Sequence, residues 1–247
     1  MRALAASVVL MISATAATAA EMRVLSVGSV QVALRSIAND FSMATGHRVA
    51  VTIVTPNRIP QTLAREPFDM LIASVGAMET HDKAGTLRAG TRRPLARVGI
   101  GVMVREGAAV PDVSTPESFK ATLLKARSIV HGDPTIPNQS GVVTMRILAK
   151  AGILDAVKAK SRAADLGEGF AMVARGQVEL ALFNTVELPP GVRLSGPVPA
   201  AFADYTFFET AVLAKAAVPD EAEAFIRAMT GAPKTWEASS LEPYPYR

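Results

Sequence analysis

Two α/β lobes, each a mostly parallel sheet flanked by helices, form the fold class that the sequence predicts. Short apolar strands alternate with amphipathic helices from residue 23 onward, a pattern that favours parallel strands covered on both faces. The alternation stops at the apolar run "LARVGIGVMVREG" and restarts with different elements. The chain has 247 residues, 49% of them hydrophobic, enough for two cores of roughly 100 residues each rather than one very wide sheet. The expected lobes are residues 21–98 with 204–247, and residues 99–203. The chain crosses between them near Arg97 to Val104 and again near Pro199 to Phe208.

The opening "MRALAASVVLMISATAATAA" places Arg2 before a short apolar run and ends in small residues. That order reads as a secretory signal peptide over residues 1–20, cut after Ala19 or Ala20. Arg23 to Val27 is the first strand, and Ser29 stands at a helix N-cap position. Val30, Ala33, Leu34, Ile37, Ala38 and Phe41 follow at helical spacing, and Gly46 closes the helix. "RVAVTIV" is a second strand, a helix starts near Pro60, and "FDMLIAS" is a third strand. Between them Pro56 forbids a helix running on from Thr55, so residues 55–59 are expected to form a stiff, irregular loop.

In the second half "STPESFKATLLKA" opens with a Ser114 or Thr115 cap and a proline in the first turn. "SIVHGD" is a strand, "SGVVTMRILAKAG" a helix capped by Ser140, and "GEGFAMVARGQ" with "VELALFN" one more helix and strand. The proline-rich "LPPGVRLSGPVPAAF" reads as a connection back to the strand "TFFETAVLA" and the helix "PDEAEAFIRAMTG". No sequence repeat relates the halves.

Composition narrows the chemistry. The net charge of +4 comes from 26 basic and 22 acidic residues scattered along the chain, and aromatics are only 5%. This is a solvated surface rather than a nucleic-acid footprint, although a mild positive potential helps attract a small anion. There is no cysteine, and His47, His81 and His131 lie too far apart in sequence to form a metal motif, so no metal and no cofactor are expected. Walker loops, the Gly-x-Ser-x-Gly elbow and the dinucleotide glycine fingerprint are also missing.

What the sequence does repeat is equipment for holding an anion. The start of a helix presents unpaired amides and a positive partial charge worth roughly 0.3–1 kcal/mol to a nearby anion. A capping hydroxyl adds a donor. Ser29, Thr55 and Ser140 each stand at such a place, and ligands on parallel sheets bind beyond the carboxyl ends of the strands.

These residues carry a resemblance to the periplasmic molybdate-binding protein family, the receptors of molybdate ABC transporters. It rests on "VLSVGSV" at the first strand end, "QTLAREPFDMLIAS", "GDP" followed by Ser140-Gly141, and "VELALFN". The resemblance implies a type II periplasmic-binding-protein fold, a hinge, and a small anion closed between the lobes. Ser29, Thr55, Ser140, Gly167 and Asn184 match the family's ligand positions. The motifs "TPxxIPxxL" and "LARVGIGVxVREGAxxPDxSTP" resemble a branch that includes the secreted aconitate isomerase. In that setting Asn57 and Arg58 join the ligand set, since a guanidinium fork suits a carboxylate. The expected role is a periplasmic solute-binding protein for an organic carboxylate or a molybdate-like oxyanion, serving an ABC transporter. The alternative is a cofactor-free enzyme interconverting cis- and trans-aconitate, with His131, or less strongly Glu187, as its base.

Overall fold

β1 (Glu21–Val27), α1 (Gln31–Thr45), β2 (Arg48–Val54), α2 (Ile59–Arg65) and β3 (Met70–Ser74) form the expected β-α-β-α-β start. They belong to a computed structural model that describes residues 19–135, 140–186 and 188–245. The expected signal peptide, except Ala19 and Ala20, and Glu187 lie outside the described residues. β1 pairs in parallel with both β2 and β3. All six residues predicted to face inward from the first helix, Val30 to Phe41, are buried, and Gly46 takes the left-handed φ of 78° that ends α1.

After α3 (Val75–Lys83) comes β4 (Arg93–Arg105), the longest strand. The second half adds α4 (Pro116–Lys125), β5 (Ile129–His131), α5 (Ser140–Lys150), α6 (Leu154–Lys158), β6 (Ser161–Ala163), α7 (Leu166–Ala174), β7 (Leu180–Asn184) and β8 (Val192–Pro197). β9 (Tyr205–Val212) returns to the first half, followed by α8 (Pro219–Thr230), α9 (Pro233–Ala238) and β10 (Glu242–Pro243). Thr115, not Ser114, caps α4, through a reciprocal pair of bonds with Ser118.

The strands follow the order β2-β1-β3-β9-β4-β7-β5-β6, with β8 and β10 added along β4. The outer pairings are parallel, whereas β9 and β4 run antiparallel to their neighbours. β4 therefore belongs to both halves: Arg93 to Gly99 pair with β9, and Ile100 to Met103 pair with β7. β8 corrects the reading of the proline-rich segment as a plain connection. Its only ladder partner among the described residues is β4, and Pro189, Pro190 and Pro197 sit before it or at its end, where a missing N–H is tolerated.

The apolar cores divide along the same line. One cluster joins α1, β1, β3, β9 and α8 around Leu34, Leu71, Phe208 and Phe225. In the other half the alternation of strand side chains feeds two clusters: Val102, Val104, Leu180 and Leu182 enter one, Met103, Ala181 and Phe183 the other. Burial on both faces explains why these strands read as unbroken apolar runs. Among the described residues no helix is long and apolar enough to cross a membrane.

Two ion-pair groups tie the crossing region. Arg97 on β4 meets Glu242 on β10 with two bonds of 2.7 Å and lies 4.1 Å from the Tyr205 ring centroid. Arg97→Ala is expected to lower unfolding free energy by about 2 kcal/mol, measured in urea, because a two-pronged charged bond and a cation–π contact go together.

Asp204, just before β9, accepts from Arg146 Nε on α5 and from its neighbour's amide, each at 2.8 Å. Burial on its own raises the Asp204 pKa, but the bonds from Arg146 and Tyr205 and the charges of Arg146 and Lys150 outweigh it, holding the carboxyl below 3.8. A carboxyl depressed in the folded chain stabilises it above the unfolded pKa, and that contribution is lost as pH falls through the folded one. The urea midpoints of the native chain and of Asp204→Asn should therefore differ most at about pH 6 and draw together as pH falls below the ordinary carboxyl range.

Candidate functional site

A cleft of about 1040 Å³ opens where the carboxyl ends of β1 and β2 face β5, α5 and α7 of the other half. Six of the seven ligand residues expected from the sequence, Ser29, Thr55, Asn57, Ser140, Gly167 and Asn184, line it. Arg58 does not; it is exposed, and its backbone N–H closes a turn on Thr55 O at 2.9 Å.

The local reasons differ from simple capping. Between β1 and α1 the chain inserts one 3₁₀ turn, Gly28–Val30, so Val27 precedes the helical residues and Ser29 caps nothing. Its hydroxyl oxygen instead accepts a bond from Asn184 Nδ2 at 3.1 Å, joining the end of β1 to the end of β7. Residues 56–58 are likewise a 3₁₀ turn rather than an irregular loop, since the fixed φ of Pro56 suits a first helical position. The Thr55 hydroxyl donates to Asn57 Oδ1 at 2.6 Å and caps no backbone. That bond engages Asn57 Oδ1 and leaves the NH₂ without a partner among the described residues.

Across the cleft, α5 begins at Ser140 directly against the end of β5. A Cβ on Gly141 would overlap Gly132 O and the Asp133 carbonyl, and one on Gly132 would overlap Ser140 Oγ. The two glycines are what allow the first turn of α5 to abut the segment after β5. α7 starts at Leu166 behind an Asp165 cap, whose Oδ1 accepts from Glu168 N at 2.9 Å. Asp165 lines the cleft and escaped the sequence reading, although an Asp three residues before a helical Glu is a recognisable N-terminal signal.

The charge inventory is one-sided. Among the described lining residues the charged side chains are Asp133 and Asp165, with no Lys, Arg or His. The amide and hydroxyl of Thr135 hold the Asp133 carboxyl below its ordinary range. His131 is 5% exposed and does not line the cleft. Its Nδ1 lies 2.8 Å from Gly132 O and its Nε2 3.2 Å from Ser161 Oγ, so both ring nitrogens are engaged. Among the described residues no group of three or more His, Asp or Glu could hold a metal ion.

Two packed halves joined by strands, with helix starts and uncharged donors converging on one cleft, define a receptor for a small solute. The chain belongs to the bacterial extracellular solute-binding protein family, whose pattern matches residues 22–235. It is 32% identical over 235 residues to an aconitate isomerase of a Pseudomonas species, covering 91% of this chain and 88% of that one. Its fold is similar to the periplasmic molybdate-binding protein of Azotobacter vinelandii, with a TM-score of 0.70 and 19% identity over 89% of this chain and 98% of that one. It is also similar to Peb3 of Campylobacter jejuni bound to L-phospholactate, with a TM-score of 0.74 and 16% identity over 90% and 99%.

Proposed function

We propose that the chain captures a small organic carboxylate in this cleft, after export to the periplasm, and passes it to an ABC transporter. The lobes that hold it are residues 21–98 with 204–247, and residues 99–203. The observation that carries this reading is the meeting of Ser29, Thr55, Asn57, Ser140, Gly167 and Asn184 from both halves on one cleft, whose charged lining residues among those described, Asp133 and Asp165, are already bonded to Thr135 and to the start of α7. Uncharged donors and helix starts attract an anion without the fixed ion pair that would slow its release. The 32% identity to an aconitate isomerase favours a carboxylate with a carbon skeleton over a compact tetrahedral oxyanion.

A second reading, isomerisation of aconitate, is favoured by the 32% identity to an aconitate isomerase over 91% of the chain. The step is a 1,3 proton shift: a base takes a proton from one carbon, the allylic electron pair relocates the double bond, and a proton is returned at the far carbon. His131 has both ring nitrogens engaged, whereas Asp133 and Asp165 line the cleft; Asp165, which accepts one bond where Asp133 accepts two, is the base in this reading. Thermal shifts with molybdate, sulfate, citrate and both aconitate isomers, followed by NMR of an aconitate mixture, separate the readings. A carboxylate at 100 times its dissociation constant stabilises by about 2.7 kcal/mol. Stabilisation by molybdate alone would overturn the carboxylate reading. Interconversion lost in Asp165→Asn, with binding kept, would establish the enzyme.

A further inference from the structure

Asn184 closes β7 with 2% exposure, and its amide is used on both sides. Nδ2 donates to Ser29 Oγ at 3.1 Å, while Oδ1 accepts from Thr206 Oγ1 at 3.4 Å. Thr206 lies on β9, 1% exposed, and its hydroxyl has no other partner among the described residues. Ser29 and Asn184 line the cleft; Thr206 does not.

The three groups can be ordered in only two directions. In one, the Thr206 hydroxyl donates to Asn184, Asn184 donates to Ser29, and the Ser29 hydrogen is left to donate into the cleft. In the other, the amide is turned over and Ser29 donates to Asn184, offering the cleft only lone pairs. The second direction strands the Thr206 hydrogen in a dry interior, where a donor without an acceptor carries its full desolvation cost. The first direction gives the buried Thr206 hydrogen its acceptor, and the second does not.

We propose that Thr206 is a positioning residue that fixes the polarity of this relay, so that Ser29 meets the ligand as a donor and the site selects acceptor-rich, anionic groups. The proposal rests on the anion reading above. It extends it to a residue one step removed from the ligand.

The test uses the full mature chain with trans-aconitate as probe and isotope labelling of asparagine side chains. Thr206→Val keeps the shape and removes the donor. It is expected to weaken trans-aconitate binding about tenfold, to displace or broaden the Asn184 side-chain amide resonances, and to be rescued by Thr206→Ser. In a Ser29→Ala background the same change should cost less than about twofold, because the relay then has no end to orient. Equal losses in both backgrounds, or unchanged Asn184 resonances in Thr206→Val, would overturn the relay. If the native chain binds no carboxylate, the functional reading fails, and the Asn184 resonances still decide the relay in the ligand-free protein. Should Thr206→Val fold poorly, Thr206→Ala carries the same comparison.

Discussion

Asp69→Ala is expected to cost about 3–5 kcal/mol of unfolding free energy. The carboxylate is 4% exposed and holds three backbone amides: Arg23 N at 2.8 Å, Ala217 N at 2.8 Å and Val218 N at 3.3 Å. Those amides join the beginning of β1 to the entry of α8, whose first turn has no side-chain cap. Alanine would take the shared acceptor from all three amides at this partly buried junction. Asp69→Asn should recover only part of the loss, since its NH₂ would face a backbone N–H wherever it pointed. Urea denaturation with a common slope for all variants is the measurement, and a change below about 1 kcal/mol would refute the assignment. For a chain of this size the loss corresponds to roughly 6–20 °C in Tm.

Gly141→Ala should damage stability and binding together. The added methyl would meet Gly132 O and the Asp133 carbonyl, which belong to the backbone and cannot rotate away. The start of α5 must retreat, taking Ser140 with it, and overpacking of this kind costs about 1–3 kcal/mol. Thermal stabilisation by whichever anion the native chain binds should fall to less than half. Gly28→Ala is the control: it lies in the same cleft, but its Cβ would have nothing within 4 Å, and its stability should change by less than about 0.5 kcal/mol. Equal behaviour of the two variants would show that the close approach of α5 to β5 does not matter.

The periodic elements were open to reading because burial leaves its period in the sequence. The inward face of α1, the paired runs of β4 and β7 and the left-handed Gly46 could be found residue by residue. Position in the cleft was another matter. Ser29 and Thr55 suggest helix caps, but a hydroxyl beside a strand end looks the same in sequence whether it caps a helix or faces a cleft. The 3₁₀ turns that separate those uses are one turn long and leave no period.

Arg58 and His131 illustrate the opposite case. Both sit one or two residues from groups that line the cleft, yet one is exposed on the turn and the other has its ring held by Gly132 and Ser161. A difference of one residue decides which way a side chain leaves the backbone. The bond from Asn184 to Ser29 spans 155 residues of sequence, and no local pattern could reveal it. β8 was hidden by its own prolines, which mark turns and strand boundaries alike.

β4 and β9 carry the chain between the halves, and they remain hydrogen-bonded to each other up to Gly99 and Tyr205. Two connections that are laddered together cannot swing independently. Any rotation of one half against the other must bend both strands at the same level, about a single shared axis. β10, pinned to β4 by Arg97 and Glu242, adds a third strip of backbone at the level of Ala96 and Arg97. Because Ser239 and Leu241, just before it, line the cleft, residues 239–243 are set to register such a rotation directly, and a spectroscopic label placed there would follow the cleft.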